Sequence, residues 1–170
     1  IGGAPQPTIT DDRALGAADI QRSLRFNYHD NAYLSRTVST TSSRTTFTYS
    51  CWVKRTDISV SLSGVVLMGS NATSGTNHTA IFFDDDDAIG SRARNNGDGS
   101  TKTTAKYRDP TAWMHLVVRY NAPLGTQSSR LRIYVNGEDI GLSNNLSQNQ
   151  ELTWNKGGRE QYLGCHAVNN

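Results

Sequence analysis

The sequence predicts an all-β domain folded as a two-sheet antiparallel β-sandwich. Apolar and polar residues alternate along residues 113–120 and again along 131–135, which is typical of strands with one buried face. The Asn136-Gly137 pair that follows supplies the positive backbone angles of a tight hairpin turn. The sequence nowhere shows the ~3.6-residue apolar stripe of a helix longer than a turn or two. Together these observations favour stacked sheets over helical layers.

The chain divides into short strands separated by turn-forming residues. Residues 1–20 are rich in Gly, Pro, Ala and Asp, so we expect an extended arm before a single domain over 21–170. β-branched and aromatic residues mark the strands, and Gly, Asn, Asp and Pro mark the turns. The predicted strands are 23–27, 32–36, 45–55, 65–69, 79–83, 88–93, 101–106, 113–120, 131–135 and 161–165. The predicted turns and loops are 84–87, 95–100 and 143–150.

Alternation also predicts which side chains enter the core. In the first strand, Leu24 and Phe26 are expected to point inward. In 45–55, one face carries Phe47, Tyr49, Cys51 and Val53, and the other carries Thr48, Ser50, Trp52 and Lys54.

The three tryptophans differ in their sequence context. Trp52 and Trp113 lie inside strand motifs, so we expect core or inter-strand packing for both. Trp154 lies in a polar loop beside Asn155. Because an exposed indole is an amphipathic anchor, these two loop residues are the candidates for contact with a ligand or partner.

Composition limits the classes of function. The chain has 170 residues and a net charge of +2 from 17 basic and 15 acidic residues, so no large field favours a nucleic acid partner. No apolar run approaches the ~20 residues of a membrane-spanning helix. Cys51 and Cys165 leave both a single disulfide and two free thiols open. The densest basic group is expected to form a solvated face: Arg92, Arg94, Lys102, Lys106 and Arg108.

A run of four aspartates is the one dense group of hard oxygen ligands. Calcium prefers six to eight such oxygens, so Asp84, Asp85 and Asp87 are the candidate metal ligands. Consecutive residues of a strand point to opposite faces, and the spaced D-x-D-x-D-G pattern is missing. A solvated turn is therefore the favoured interpretation, with no cofactor, and calcium is the alternative.

Five segments, in this order, carry a resemblance to a known family. They are SLRF at 23–26, AYLSRT at 32–37, FTYSCWVKR at 47–55, RDPTAWMHLVVRY at 108–120 and LRIYVNG at 131–137. The set resembles laminin-G-like domains, which are jelly rolls of the concanavalin A type. It is most similar to the version in structural proteins of tailed phages, especially marine and cyanobacterial phages. The resemblance covers about residues 23–164.

The resemblance implies a non-enzymatic virion structural protein, located on the capsid or on a tail fibre or tail tip and extracellular after release. Its expected partners are other virion proteins, in a homo-oligomeric or multi-copy assembly, and host surface glycans. The alternative is a carbohydrate-binding lectin-like module, calcium-dependent in one version. In such domains a YLG segment like 162–164 is usually followed by a closing strand, whereas this sequence ends at Asn170. The expectation is therefore either that a segment has been trimmed or that another chain supplies the missing edge, since an open edge can pair with a neighbour.

Glycoside hydrolysis is the enzymatic alternative, because glucanases share this fold. Such enzymes carry two opposed carboxylates, and those of this fold place them in an E-x-D-x-x-E-like spacing. The three glutamates, Glu138, Glu151 and Glu160, do not have that spacing. Neither a G-x-S-x-G elbow nor a phosphate-binding loop occurs. We therefore expect no enzymatic activity.

Overall fold

A computed structural model describes residues 23–26, 32–56, 58, 65–70, 78–93, 100–140 and 146–165. These residues form ten strands in two antiparallel sheets, which confirms the predicted all-β sandwich. The strands are β1 Leu34–Thr37, β2 Thr46–Val53, β3 Val65–Ser70, β4 Thr79–Phe83, β5 Ile89–Ala93, β6 Ser100–Lys102, β7 Met114–Asn121, β8 Leu131–Val135, β9 Glu138–Asp139 and β10 Glu160–Leu163. A 3-10 turn covers Gln127–Ser129. Within these ranges, no helix is long and apolar enough to span a bilayer.

The strands are distributed over a larger and a smaller sheet. Sheet A has six strands in the order β1-β10-β3-β4-β5-β6, and sheet B has four in the order β2-β7-β8-β9. The open edges of the described sheets are therefore β1 and β6 in sheet A, and β2 and β9 in sheet B. The expected hairpin joins β8 to β9, where Asn136 has φ 53° and Gly137 has φ 85°. Both positive angles are those of a type I′ turn.

The core lies between the sheets and follows the predicted alternation. Along β7 and β8 every second side chain is buried, and the intervening ones are half-buried on the outer face. Burial of each large apolar side chain stabilises the fold by about 1.5–3 kcal/mol. The largest apolar side chains with almost no exposure are Met68, Ile81, Phe83, Ile89, Leu116, Leu131, Ile133, Leu146 and Leu152.

The prediction for the first strand is wrong. Residues 23–26 form no strand, and Leu24 and Phe26 are exposed by 71% and 40%. The Phe26 ring lies against the backbone of Gly164, where an added Cβ would come within 2.4 Å of the ring. Phe26 therefore packs over the chain beside β10 and stays out of the core.

The strand predicted at 101–106 is shorter in the structure. After Lys102, the Thr103 hydroxyl accepts a hydrogen bond from Ile89 N and donates one to the carbonyl of Ala105. Thr103 N also donates to Ile89 O at 2.9 Å, so the backbone ladder reaches Thr103, and its hydroxyl forms local bonds of the kind that compete with a strand. The predicted arm at 1–20, nearly all of the predicted turn at 95–100 and the first residues of the loop at 143–150 lie outside the described residues.

The two cysteines are free thiols, and burial raises the pKa of each. Cys51 is on the core side of β2 in sheet B, whereas Cys165 follows β10 in sheet A. The open question of a bridge between them is therefore answered in favour of free thiols in this structure.

Candidate functional site

The aspartate run forms the turn between β4 and β5, as the sequence predicted. Asp84 N donates to Ala88 O at 2.8 Å, and Asp87 N donates to Asp84 O at 3.0 Å. Asp87 has φ 68°, a left-handed conformation that aspartate tolerates better than most residues. The turn brings the carboxylates of Asp84, Asp85 and Asp86 within 4.8 Å of one another.

Two lysines pair with two of these three carboxylates. Lys102 Nζ donates to Asp84 Oδ2 at 2.8 Å and to Asp86 Oδ2 at 3.0 Å, and Lys106 Nζ also donates to Asp86. These ammonium groups hold the pKa of Asp86 well below its usual value, and the two carboxylates raise that of Lys102. A calcium ion would have to displace both lysines, so the cluster fits a divalent cation poorly. Both lysines are exposed while they pair with the aspartate run, in agreement with the solvated face expected for them.

Asp87, one of the predicted metal ligands, is not part of this carboxylate cluster. It is buried, its Oδ1 forms an ion pair with Arg55 Nη1 at 2.7 Å, and its Oδ2 accepts a hydrogen bond from Arg108 Nε at 2.8 Å. The Arg55 guanidinium also lies over the Phe83 ring, 5.1 Å from its centroid. Because Arg55 follows β2 and Asp87 follows β4, this ion pair links the two sheets. Arg108, another member of the predicted solvated group, is thus also engaged by an aspartate.

Trp154 and Asn155 are both engaged within the domain. Trp154 is half-buried and packs against the core. Asn155 Nδ2 donates to Ser43 O at 3.0 Å, and its Oδ1 accepts from Gln161 Nε2 at 3.3 Å. These contacts hold the loop after Leu152 against the segment before β2. A role for either residue in contacting a ligand stays a prediction.

The most exposed aromatic side chain of the strands is Trp52, on the outer face of sheet B. It is 56% exposed, and Trp113, directly before β7, is 50% exposed. The prediction that these tryptophans enter the core is wrong. The inter-strand alternative holds for Trp52, which lies opposite His115 in the β2–β7 register. The two rings stack with centroids 5.1 Å apart and planes inclined by 27°.

Hydrogen bonds fix the position of the imidazole. His115 Nε2 and Ser50 Oγ are 3.0 Å apart, and His115 N donates to Asn136 Oδ1 at 2.9 Å. The Trp52–His115 stack therefore rests on rigid strands and a hairpin, which is a better base for a recognition site than a mobile loop.

Polar side chains surround the stacked rings on the same sheet surface. Ser50 lies beside Val117 and Tyr134 in the strand register, and Thr48 lies beside Arg119 and Arg132. We call this surface the outer face of sheet B. Its members are Thr48, Ser50, Trp52, His115, Val117, Arg119, Arg132 and Tyr134. It combines one large apolar plane with hydroxyl and guanidinium groups.

Sequence reasoning missed this surface although the signal was present. Alternation assigned Trp52 to the polar side of β2, together with Thr48 and Ser50. A tryptophan in a row of exposed hydroxyl residues is a candidate for recognition, but its size and strand context favoured packing instead. Its partner His115 lies 63 positions away along the chain, so the stack itself was visible only in the structure.

The three glutamates of the chain lie in separate elements. Glu138 is in β9 of sheet B, Glu160 is in β10 of sheet A, and Glu151 lies between strands. Glu151 pairs with Arg44, and Glu160 accepts a hydrogen bond from the Tyr162 hydroxyl. Each glutamate therefore lies in a different part of the fold.

Comparison with solved structures returns distant likenesses. A Ruminococcus gnavus IT-sialidase CBM40 bound to alpha2,3 sialyllactose is 14% identical, with a TM-score of 0.45, over 80% of this chain and 94% of that chain. The same CBM40 bound to alpha2,6 sialyllactose is 13% identical, with a TM-score of 0.43, over 73% and 79%. Comparison with curated protein sequences gives no match.

A family model identifies the fold group directly. The model described as concanavalin A-like lectin/glucanases superfamily matches residues 26–169. That range includes every strand of both sheets and the outer face of sheet B. The chain belongs to the concanavalin A-like lectin/glucanase superfamily.

Proposed function

We propose that this domain is a non-enzymatic carbohydrate-binding module that takes glycans on the outer face of sheet B. The observation that carries the proposal is the 56% exposure of Trp52 while its ring is held by stacking on His115. One ring face meets the imidazole, which leaves the other available to a ligand. The apolar C–H face of a pyranose stacks on such an indole surface. Membership in a superfamily of lectins and glucanases supports sugars as the ligand class.

The surroundings of Trp52 suit the hydroxyl groups of a sugar. Binding sites combine an apolar contact with a few placed polar groups that fix orientation. The hydroxyls of Ser50 and Thr48 and the guanidinium of Arg132 lie on the same surface. Arg132 Nη1 is held by Asp139 Oδ2 at 3.0 Å, which orders it without burying it. A glycan lying across β2, β7 and β8 would therefore meet both kinds of contact.

The placement of carboxylates supports binding without hydrolysis. Glycosidases need two carboxyl groups that face each other across the scissile bond. Glu138, Glu151 and Glu160 lie in three separate elements, and the latter two are engaged by Arg44 and Tyr162. Asp139, which lies opposite Tyr134 in the register, brings a carboxylate to this face, and that carboxylate pairs with Arg132 Nη1 at 3.0 Å.

Trp52→Ala tests the proposal on a glycan array and by titration with the best glycan found. Removal of a central aromatic anchor should weaken binding by about tenfold or more, which is on the order of 1.4 kcal/mol. The fold should survive, because the side chain is exposed. Trp154→Ala is the matched control, since it removes an indole from the opposite context, against the core. The proposal fails if no glycan binds the wild-type chain, or if Trp154→Ala abolishes binding and Trp52→Ala does not.

A second candidate is the assembly role on a phage particle that the sequence resemblance implies. The observation that favours it is that β2 is an edge strand of sheet B among the described residues, and an edge strand suits association with other chains. Under this hypothesis the domain is a virion component, extracellular after release. Imaging of purified particles that carry a labelled copy of the chain would test it. A chain that stays monomeric and never associates with capsid or tail proteins would contradict it.

A further inference from the structure

Two arginines lie directly opposite each other on the outer face of sheet B. Arg119 of β7 is the register partner of Arg132 of β8. Asn121 N donates to Arg130 O at 2.7 Å two residues further along both strands, so Arg119 and Arg132 also form a hydrogen-bonded backbone pair. The Cα atoms of such a pair are about 5.5 Å apart, and the two side chains leave the same face of the sheet. This end of the face is therefore cationic.

The charge of these two arginines is balanced at Arg132 alone among the described ion pairs. Like charges directly opposite each other in a sheet are destabilising. Arg132 Nη1 pairs with Asp139 Oδ2 at 3.0 Å, which relieves part of the repulsion. Arg119 Nη2 donates instead to Ser129 O at 3.0 Å. A carbonyl oxygen fixes the guanidinium group without neutralising it, so Arg119 keeps its positive charge.

The contacts of both guanidinium groups hold them in place before a ligand binds. Arg119 is tied to the 3-10 turn before β8, and Arg132 is tied to β9. Arg119 is half-buried, and the side chain of Arg132 is 30% exposed, so each still reaches the surface. An ordered side chain loses less conformational entropy on binding. The planar guanidinium fork matches a carboxylate or a phosphate-like oxyanion such as sulfate.

We propose that the glycan bound by this face is acidic, and that Arg119, supported by Arg132, binds a carboxylate or sulfate group of it. The proposal rests on the proposed function, because it takes the Trp52 ring as the other contact. Arg119 lies four residues after His115 along β7, which is about 13 Å at the rise of a strand. One sugar ring does not span that distance. The ligand is therefore an oligosaccharide that stacks one ring on Trp52 and carries its acid group on a later ring.

The side chains between Trp52 and Arg119 suit the connecting part of such a chain. Val117 is the outward residue of β7 between His115 and Arg119, and it offers a compact apolar surface. Thr48 is exposed and is the register partner of Arg119 on β2. Its short neutral side chain leaves the approach to Arg119 from that strand open to a sugar. The path from the stack to the guanidinium group thus lies over small side chains.

Glycans that come in acidic and neutral forms test the charge requirement by isothermal titration. The probes are oligogalacturonates with their methyl esters, and carrageenan oligosaccharides with their desulfated forms. The wild-type chain should bind an acidic form about tenfold more tightly than its neutral form, because hydrogen bonds to charged groups are stronger. Higher ionic strength should weaken only the acidic form. The two pairs of probes distinguish carboxylate from sulfate as the bound group.

Three variants assign the preference to this arginine pair. Arg119→Gln should weaken binding of the acidic glycan by about tenfold and leave binding of its neutral form unchanged. Asp139→Asn keeps an oxygen for Arg132 and removes the competing carboxylate, so it should strengthen acidic binding by about two- to fivefold. A gain of affinity does not arise from misfolding. Arg36→Gln is the matched control, since it removes the same charge from exposed β1 of sheet A, and it should change neither affinity.

Some outcomes would overturn the acidic ligand while the proposed function stands. Neutral glycans that bind through Trp52 as tightly as their acidic forms would be one. An Arg119→Gln variant that matches Arg36→Gln, or that loses acidic and neutral binding equally, would be another, because Arg119 would then have no role or a purely structural one. A chain that binds no glycan, or that binds as well with Trp52→Ala, would contradict the proposed function itself and the acidic ligand with it.

Discussion

Asp87→Asn should cost this domain a large part of its stability. The carboxylate is buried and pairs with Arg55 Nη1 at 2.7 Å, and the side chain of Arg55 is only 3% exposed. The substitution leaves that guanidinium buried without its counter-charge. Removal of one partner of a buried pair destabilises by about 3–5 kcal/mol, against a typical total of about 5–15 kcal/mol. Asparagine tolerates the φ of 68° at this position, so backbone strain adds little.

Urea unfolding followed by tryptophan fluorescence measures the effect. With a slope of about 2 kcal/mol per molar urea, the expected loss lowers the midpoint by about 2 M. Asp85→Asn is the control, because it makes the same change in the same turn at an exposed residue. It should alter the free energy of unfolding by less than about 0.5 kcal/mol. A loss below about 1 kcal/mol for Asp87→Asn would refute the assignment of Asp87 to a buried inter-sheet ion pair.

A double-mutant cycle separates the charge from the packing. Arg55→Met removes the cation and keeps an apolar chain over the Phe83 ring, which the guanidinium now covers at 5.1 Å. Replacement of a whole buried pair by apolar groups is often close to neutral. Arg55→Met combined with Asp87→Asn should therefore be less destabilised than the sum of the two single variants. Strict additivity would mean that the two side chains do not act as a pair.

Three further outcomes follow from the geometry. Gly90→Ala should destabilise by about 1–3 kcal/mol, because its Cβ would lie 2.5 Å from the Phe82 ring; Gly125→Ala, with nothing within 4 Å, is the control in thermal melting. The pKa of Asp86 is held below its ordinary 3.8 by Lys106 and Lys102, so the stability from this pairing is present above about pH 4 and is lost as the pH falls through the lowered pKa. Asp86→Asn should reduce this loss of stability at low pH in urea titrations. A pH profile equal to that of the wild-type chain would contradict the role of Asp86. Millimolar calcium should leave the melting temperature at its value in chelator, because the lysines occupy the carboxylates; a rise of several degrees would revive the calcium hypothesis.

Local patterns predicted the elements that depend on local chemistry. β7 and β8 follow from alternation, and the hairpin follows from Asn136-Gly137, whose positive angles few other pairs adopt. The segment 23–26 shows the limit of the method, because Leu24 and Phe26 alternate like strand residues but do not pair as a strand. The alternation of apolar and polar residues describes a single strand, whereas the burial of a side chain depends on which part of the fold packs against it.

The candidate site was less predictable because its contacts are long-range. The aspartate turn was expected, but the lysines that pair with it come from β6 and beyond, about twenty positions later. Likewise, nothing near Trp52 in the sequence indicates His115 as its stacking partner. In both cases the residue types were visible and their pairing was not. Pairing is a property of the sheet order, which local propensity does not determine.

Side chains along β2, β7 and β8 alternate strictly between the outer face and the core, and this has a consequence for engineering new binding specificities. Each outward residue on these strands touches solvent and its outward neighbours, while the inward residues alone maintain the packing. Randomising Thr48, Val117 and Tyr134 in a display library should therefore change recognition and leave the fold intact. Such a scaffold would carry new binding specificities on a rigid sheet surface, whereas antibody frameworks carry theirs on loops.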